Sequence, residues 1–396
     1  MEITHGWERD LLAGSSPYHA VGVAYPPLAM LLFILPGLGS ASLDTYRLTF
    51  PALVLLADLA GLMVAVRSQR AGWRWAPIAY ILAVPAVGPV LLLWRYDLLP
   101  AVLDLAACAA LVRGHRRTSW LCLGVGIALK PYLAVLLPLW VTWDLVNRGF
   151  DLRGLLVDSV LVAAPSVLAA ALILPLSGSS FLFAYTFQVG RALTVDSTPA
   201  VLLVEFAHHA ARQVAVVDMQ CLCWVRPTRA VGMIRTISTA ALLLGLGLVV
   251  ASYLIRPTNT TLVAGSVVSL LLLLLTSVVY SPQYMIWPLP PMALLAGSRR
   301  GRVALMLVSV AAATEFFAYP GNWTSILTYG PLGRSLLLLR TATMLLAIPV
   351  LLWPEGQGFP QKAWSSRIRG TLKNRPGQEG ATGAAGPQSP AGRRNT

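Results

Sequence analysis

The sequence predicts an all-α membrane protein, a polytopic bundle of about 10–12 transmembrane segments, some of them short or broken. Of its 396 residues, 56% are hydrophobic and only 12% are charged, and the mean hydropathy is +0.68. A soluble globular domain carries about 25% charged residues, so this class is excluded. The apolar runs lack the alternation of membrane β-strands, which excludes a β-barrel.

Apolar runs recur from Tyr25 to Trp353, and several approach the roughly 20 residues that cross a hydrocarbon core. The predicted membrane segments are 25–38, 46–66, 76–94, 97–112, 120–130, 132–146, 155–176, 231–255, 262–280, 285–296, 303–317 and 334–353. The chain therefore divides into an outer-face amphipathic loop over 1–24, a transmembrane domain over 25–353 and a tail over 354–396.

Basic residues outnumber acidic residues by 30 to 16, which gives a formal net charge of +14. In a soluble protein this excess would indicate nucleic acid as a partner. Here the basic residues lie in short loops between apolar runs, and such loops face the cytoplasm. The loops predicted to be cytoplasmic carry Arg67, Arg70 and Arg74; Arg113, Arg116 and Arg117; Arg148 and Arg153; Arg256; and Arg299, Arg300 and Arg302. The lipid bilayer, and not nucleic acid, is therefore the expected partner.

Residues 354–396 differ in composition from the rest of the chain. They contain seven basic and two acidic residues, and they are rich in Gly, Pro, Ser and Gln. Such a segment cannot bury enough apolar surface to fold. We expect a disordered, basic cytoplasmic tail that is attracted to anionic lipid.

The remaining polar positions fall on the outer side when the chain alternates across the membrane from the basic loops. They are 95–97, Lys130, 177–230, 281–284 and 315–333. An ionisable side chain at a membrane boundary is costly unless it is solvated, paired or functional. The sequence therefore predicts one outer cavity that these polar groups share.

Five of these positions are charged and stand at the ends of apolar runs or in an outer loop. Arg95 and Asp97 are two residues apart, Lys130 precedes a proline in a long apolar stretch, and the outer loop holds Arg191 and Asp196. Mutual neutralisation, snorkelling or a weak surface salt bridge would explain these charges without a function. Anion binding is the alternative, and it explains the isolated Lys130 best.

Further polar and aromatic residues interrupt apolar runs. Tyr25 opens a Tyr-Pro-Pro-Leu-Ala stretch, Gln283 and Tyr284 lie in a proline break, and Glu315 lies in an apolar run. Such residues are either architectural or line a cavity together with the charged positions.

No metal or nucleotide site is predicted. His208 and His209, together with Cys221 and Cys223, lack the usual spacing of zinc ligands. The sequence contains no Walker-type phosphate loop and no dinucleotide fingerprint.

Six short motifs resemble, in their order and spacing, those of one enzyme family. They are the Gly14-Ser-Ser-Pro-Tyr turn, Tyr25-Pro-Pro-Leu-Ala, Arg95-Tyr-Asp-Leu-Leu-Pro-Ala, Gly126-Ile-Ala-Leu-Lys-Pro, Arg191-Ala-Leu-Thr-Val-Asp-Ser and Ser281-Pro-Gln-Tyr. Together they are similar to the bacterial polyprenyl-phosphate-mannose-dependent mannosyltransferases of glycosyltransferase family 87. The resemblance covers about residues 6 to 350. It implies a GT-C membrane fold in a bacterial plasma membrane.

The resemblance implies inverting transfer of a hexose, expected to be mannose, from a polyprenyl-phosphate donor to a lipid or glycan hydroxyl at the extracytoplasmic face. No cofactor is implied, because the lipid-linked sugar is a substrate. The expected substrate-binding positions are Tyr25, Arg95, Asp97, Lys130, Arg191, Asp196, Gln283, Tyr284 and Glu315. Lys130 and Arg191 would bind phosphate, and Arg95 with Asp97 would shape the donor pocket. Asp97 and Asp196 would either hydrogen-bond sugar hydroxyls or orient those cations. The family more often has glutamate where Asp196 stands.

The catalytic base is expected to be Glu2 or Asp10. Family members usually have a full transmembrane helix and then an aspartate before the Gly-Trp segment, and here Met1 falls about where that aspartate is expected. Counting crossings back from Arg67 also places 1–18 inside, unless the segment over 25–38 only dips into the membrane or another helix precedes it. We expect that translation begins upstream, that Glu2 substitutes, or that the protein is catalytically impaired.

Two other functions remain open at this point. A transporter or flippase of lipid-linked sugar would also use outward charges and broken helices, although the paired halves typical of such carriers are not visible. A non-catalytic GT-C-like subunit would follow if no carboxylate reaches the cavity.

Overall fold

The structure is a computed structural model that describes residues 2–16, 18, 23–38, 42–69, 73–206, 215–217, 223–225 and 229–353. Its helices are α1 (Glu2–Leu12), α2 (Pro27–Ile34), α3 (Leu43–Ser68), α4 (Ala76–Ala83), α5 (Pro89–Leu93), α6 (Leu98–Val112), α7 (Arg116–Leu129), α8 (Leu137–Arg148), α9 (Leu152–Ser177), α10 (Phe183–Gly190), α11 (Thr198–Phe206), α12 (Arg229–Ile255), α13 (Asn259–Thr276), α14 (Leu289–Met292), α15 (Arg299–Ala318), α16 (Trp323–Leu327) and α17 (Pro331–Leu352). The predicted tail over 354–396, together with His208, His209 and Cys221, lies outside the described residues.

Besides the helices, the described residues contain one short antiparallel ribbon. It pairs β1 (Ala215–Val217) with β2 (Cys223–Val225), and Val216 stands opposite Trp224. The predicted outer loop over 177–230 is therefore partly folded, because α10, α11 and this ribbon all form within it.

Six helical stretches of the described chain are long and apolar enough to cross a membrane. They are Leu43–Ser68, Leu152–Phe187, Val231–Ile255, Asn259–Thr276, Arg299–Ala318 and Pro331–Leu352. Three shorter apolar stretches are Pro27–Gly37, Ala76–Val87 and Leu98–Val112. These helices confirm a helical membrane bundle, while the larger number of segments and the GT-C type remain predictions.

The expected short and broken segments have local causes. The run predicted over 76–94 is divided into α4, a 3-10 turn over Val84–Val87 and α5. Pro85 lies in that turn, and Gly88 follows with a φ of 84°, a value that glycine adopts without strain. The run over 285–296 is likewise built from short 3-10 turns around α14, because prolines interrupt its backbone hydrogen bonds.

The hairpin of α6 and α7 separates Asp97 and Lys130, which were predicted to lie on the outer side, from the basic loop that connects the two helices. Its two helices pack against each other, and the 15 residues of α6 rise about 22 Å. Asp97 and Lys130 meet at one end of the hairpin. At the other end, the Arg113 guanidinium donates a hydrogen bond of 3.2 Å to the Ser68 hydroxyl at the end of α3. These basic positions therefore lie opposite the Asp97–Lys130 end.

Close packing of α9 on α7 depends on one small residue. A Cβ at Gly124 would lie 2.5 Å from the Leu161 carbonyl oxygen and 2.7 Å from the Val162 Cα. Small residues allow membrane helices to approach in this way. The contact brings the start of α9 alongside the start of α7.

At that junction Arg116 joins three helices through buried carboxylates. Its guanidinium lies 2.7 Å from Asp144 on α8 and also pairs with Asp158 on α9. The side chains of Asp144 and Asp158 are 3% and 6% exposed. Asp144 also lies 3.9 Å from the Arg148 guanidinium, whereas Arg116 is the one cation of the described chain that forms an ion pair with Asp158.

We predict that Arg116→Gln lowers the thermal stability of the detergent-solubilised protein. Removing one partner of a buried pair costs about 3–5 kcal/mol because it leaves the other charge uncompensated. Arg117→Gln is the matched control, since the neighbouring Arg117 is exposed. Equal melting temperatures for the two variants would contradict this account.

Candidate functional site

The centre of the candidate site is an ion pair between Lys130 and Asp97. Pro131 disfavours the helical conformation for Lys130, so α7 ends and Lys130 is extended, with φ −154° and ψ 113°. Its ammonium pairs with the Asp97 carboxylate. The Trp287 indole N–H also donates to Asp97, at 2.8 Å. Asp97, only 1% exposed, is thus held by groups from two other parts of the chain.

Aromatic rings surround the Lys130 ammonium. Its Nζ lies 5.2 Å from the ring centre of Tyr96, 4.7 Å from that of Tyr284 and 5.2 Å from that of Trp287. Trp287 stacks in turn on Tyr132 at 3.8 Å and on Tyr284 at 4.2 Å. Cation–π attraction over several faces fixes the position of the charge. The predicted residue Tyr284 is therefore one wall of this site.

Tyr25 and Arg95 lie on another side of the same site. The Tyr25 ring is 5.6 Å from the Tyr96 ring, and Tyr25 interacts electrostatically with Arg95, Lys130 and Asp97. The backbone of Tyr25 is fixed by a hydrogen bond of 2.6 Å from the Tyr18 hydroxyl to its carbonyl. Arg95 is half-buried, and no residue of the described chain forms a hydrogen bond or an ion pair with it.

Arg191 reaches the site through Tyr284, with which its side chain forms a hydrogen bond. The Arg191 guanidinium also lies 5.6 Å from the Phe187 ring centre, and Arg235 donates a hydrogen bond to the Arg191 carbonyl. The structure therefore brings Arg95, Lys130 and Arg191 to one aromatic cluster, although they are far apart in sequence.

Asp196 interacts electrostatically with Tyr284 of this cluster but forms no hydrogen bond or ion pair with the cluster among the described residues. It lies in a neighbouring buried group, where Arg340 donates a hydrogen bond to the Asp196 carbonyl. Asp196 is 4% exposed, and burial raises the pKa of its carboxyl to about 7. The two groups meet where the ring of Tyr280 lies 5.9 Å from that of Tyr284.

Arg340 is a residue that the sequence interpretation missed. Its guanidinium lies 2.7 Å from a carboxylate oxygen of Glu315 and 4.1 Å from the ring centre of Tyr280. The Tyr280 hydroxyl donates to the same Glu315 oxygen at 3.0 Å. Arg340 is fully buried. An arginine inside the apolar run of α17 could have identified this residue from the sequence, because an ionisable side chain within a membrane segment needs a partner. Glu315 lies near the end of α15, opposite the basic start of that helix, and its side chain is buried.

Gln283 lies in the same turn as Tyr284. The side chain is 8% exposed, and its carbonyl oxygen accepts a hydrogen bond of 2.9 Å from the Ser281 hydroxyl. This bond fixes the turn in which Tyr284 lies.

The two candidate bases occupy different surroundings, although both lie on α1. Glu2 lines a cavity of about 560 Å³ together with Ile3, Arg47 and Trp94, the residue next to Arg95. A Glu2 carboxylate oxygen lies 3.0 Å from the Arg47 guanidinium. Asp10 is exposed, about 12 Å further along the helix at 1.5 Å per residue.

A third carboxyl group of α1, Glu8, is fully buried. It follows His5 by one helical turn, and the His5 Nε2 lies 3.7 Å from a Glu8 oxygen. Neither Glu8 oxygen accepts a hydrogen bond from the described residues, and burial raises the pKa of the Glu8 carboxyl. The helical period that buries Glu8 leaves Glu2 and Asp10 on the outer surface of α1.

No protein-family model and no curated protein matches this chain.

We predict that Arg340→Met lowers the melting temperature, because it leaves Glu315 buried and uncompensated, at a cost of about 3–5 kcal/mol. The double variant Arg340→Met and Glu315→Gln removes both charges, while the Tyr280 hydroxyl can still donate to the new amide oxygen. Its melting temperature should lie above that of the single variant. A double variant no more stable than Arg340→Met would show that charge pairing does not hold these helices together.

Proposed function

We propose that this protein is a membrane glycosyltransferase that transfers a hexose, mannose in our proposal, from a polyprenyl-phosphate donor to a hydroxyl of a lipid or glycan. The observation that carries the proposal is the convergence of Arg95, Lys130 and Arg191 on one aromatic-lined cluster at the end of the α6–α7 hairpin. The acceptor side would be the extracytoplasmic face of a bacterial plasma membrane, as the positive-inside rule suggests.

The cations support binding of a phosphate group. Fixed positive charges in a site of low dielectric stabilise the negative charge that develops on a departing phosphate. Lys130 is already oriented by Asp97, so little reorganisation is needed when the anion binds. Arg95, with no ion-pair partner among the described residues, supplies charge that a ligand can use.

Asp97 supports the proposal as a positioning residue. Its buried carboxylate accepts from Lys130 and Trp287 and is not open to a sugar hydroxyl. In our proposal Asp97 orients the ammonium, while the aromatic faces of Tyr25 and Tyr284 border the sugar. Orientation of a cation is one of the two roles that the resemblance implies for Asp97, and a contact to a sugar hydroxyl is the other.

Glu2 is the better candidate for the base that takes the proton of the acceptor hydroxyl. A base must be open to the substrate, and Glu2 is exposed beside a cavity that reaches Trp94, next to Arg95. The buried Glu8 has no such access, and Asp10 lies further along α1.

The phosphate assignment is tested with the neutral double variant Lys130→Met and Asp97→Asn. Removing both charges avoids the instability of a lone buried Asp97, and the asparagine can still accept from Trp287. Transfer from radiolabelled polyprenyl-phosphate mannose in membranes should fall by about 10²–10³-fold. The melting temperature should stay above that of Lys130→Met alone.

The matched control removes the ion pair between Arg334, whose side chain is 51% exposed, and Glu205, as Arg334→Gln and Glu205→Gln. Exposed pairs contribute about 0–1 kcal/mol, so its transfer should stay near the wild-type rate. Wild-type transfer by the Lys130 and Asp97 double variant would remove the phosphate assignment.

Glu2→Gln should reduce the same transfer by about 10²–10⁴-fold, the usual contribution of a general base. Asp10→Asn is the matched control, an exposed carboxylate on the same helix, and it should leave transfer unchanged. If Glu2→Gln transfers at the wild-type rate, Glu2 is not the base.

A further inference from the structure

A second cavity, of about 430 Å³, lies at the end of the α6–α7 hairpin opposite the Lys130–Asp97 pair. Its lining residues are Gly114, His115, Arg116, Arg117, Thr118 and Arg148. We infer that this cavity binds a phosphate-bearing anion, and that the ligand is the headgroup of an anionic phospholipid. The inference is independent of the proposed transfer reaction, because none of these residues belongs to that site.

Of the arginines around the cavity, some are held in ion pairs with carboxylates and one can turn toward a ligand. Arg116 is held by Asp144 and Asp158, and the Arg148 guanidinium lies 2.9 Å from Asp151 and 3.9 Å from Asp144. Arg117 forms no ion pair with the described residues, and its side chain is exposed. The rigid pairs shape the wall, while the exposed Arg117 interacts with Asp158 only electrostatically and can turn its positive charge toward the opening.

The backbone adds to this positive field. The cavity contains the start of α7, where the side chain of the N-cap residue His115 makes no capping hydrogen bond. At the start of α15, by contrast, the Ser298 hydroxyl accepts from the Gly301 N–H at 2.9 Å. Arginines in the first turn of a helix are unfavourable, because the helix dipole places partial positive charge there. An anion bound between Arg116, Arg117 and the backbone N–H groups of the first turn of α7 would offset this repulsion.

The surroundings favour a lipid over a soluble phosphate. Phe150, Leu152 and Leu156 are 79%, 59% and 59% exposed, and they follow Arg148 directly into the first turns of α9. Helix α9 packs along α7, so an apolar surface for acyl chains begins next to the basic cavity. A headgroup phosphate at this level would have its chains in the hydrocarbon region.

The test is native mass spectrometry of the full-length protein in non-ionic detergent, titrated with phosphatidylglycerol, phosphatidylcholine or inorganic phosphate. Wild-type protein should bind phosphatidylglycerol more tightly than phosphatidylcholine. Arg117→Gln should weaken phosphatidylglycerol binding about fivefold, the effect of one basic residue near a membrane surface. The basic tail is common to all variants, so its contribution cancels in this comparison.

Arg299→Gln is the matched control, because Arg299 is an exposed arginine in the first turn of the capped helix α15. It should change binding by less than about twofold. Equal affinities for the two lipids, or equal losses in the two variants, would overturn the proposal. Binding of inorganic phosphate that depends on Arg117, without binding of phosphatidylglycerol, would overturn the lipid assignment and identify a soluble anion as the ligand.

Discussion

The packing of the helices depends on the pairing of buried charges, because a buried ion in the apolar interior of a membrane protein is destabilising unless a group of opposite charge lies beside it. Lys130 pairs with Asp97, and Arg340 pairs with Glu315. Each pair joins segments that are distant in sequence, so each fixes the packing of helices that hydrophobic contact alone would leave free to slide.

The α6–α7 hairpin places the aromatic cluster and the basic cavity at opposite ends of the same two helices. Asp97 precedes α6 and Lys130 follows α7, so their pair closes one end, while Arg113 and Arg116 belong to the other end. The first end holds the aromatic cluster of the proposed transfer site. The second end holds the basic cavity. The hairpin thus positions the largely buried Lys130 ammonium at one end and the basic cavity, with its exposed Arg117, at the other end.

Hydropathy and charge predicted the helical membrane bundle, the proline break that holds Gln283 and Tyr284, and the placement of Asp97 and Lys130 together, whereas the run over 76–94 was predicted as one segment and is divided at Pro85. Periodic apolar runs are local features, and a proline acts on its own helix. The partner of Glu315 and the buried position of Glu8 were not predicted, because pairing between helices is decided by tertiary packing. Asp196 illustrates this limit: its neighbour Arg191 in the loop turns toward Tyr284, whereas Asp196 lies with Arg340 from α17.

The central claim is that the cations gathered around the aromatic cluster form a phosphate site. The most direct measurement is an electron cryomicroscopy map of the full-length protein in lipid nanodiscs with added polyprenyl-phosphate mannose. We expect phosphate density within about 2.7–3.2 Å of the Lys130 ammonium or of the Arg95 or Arg191 guanidinium groups. Ordered donor density elsewhere, with these three side chains facing acyl chains, would contradict the account.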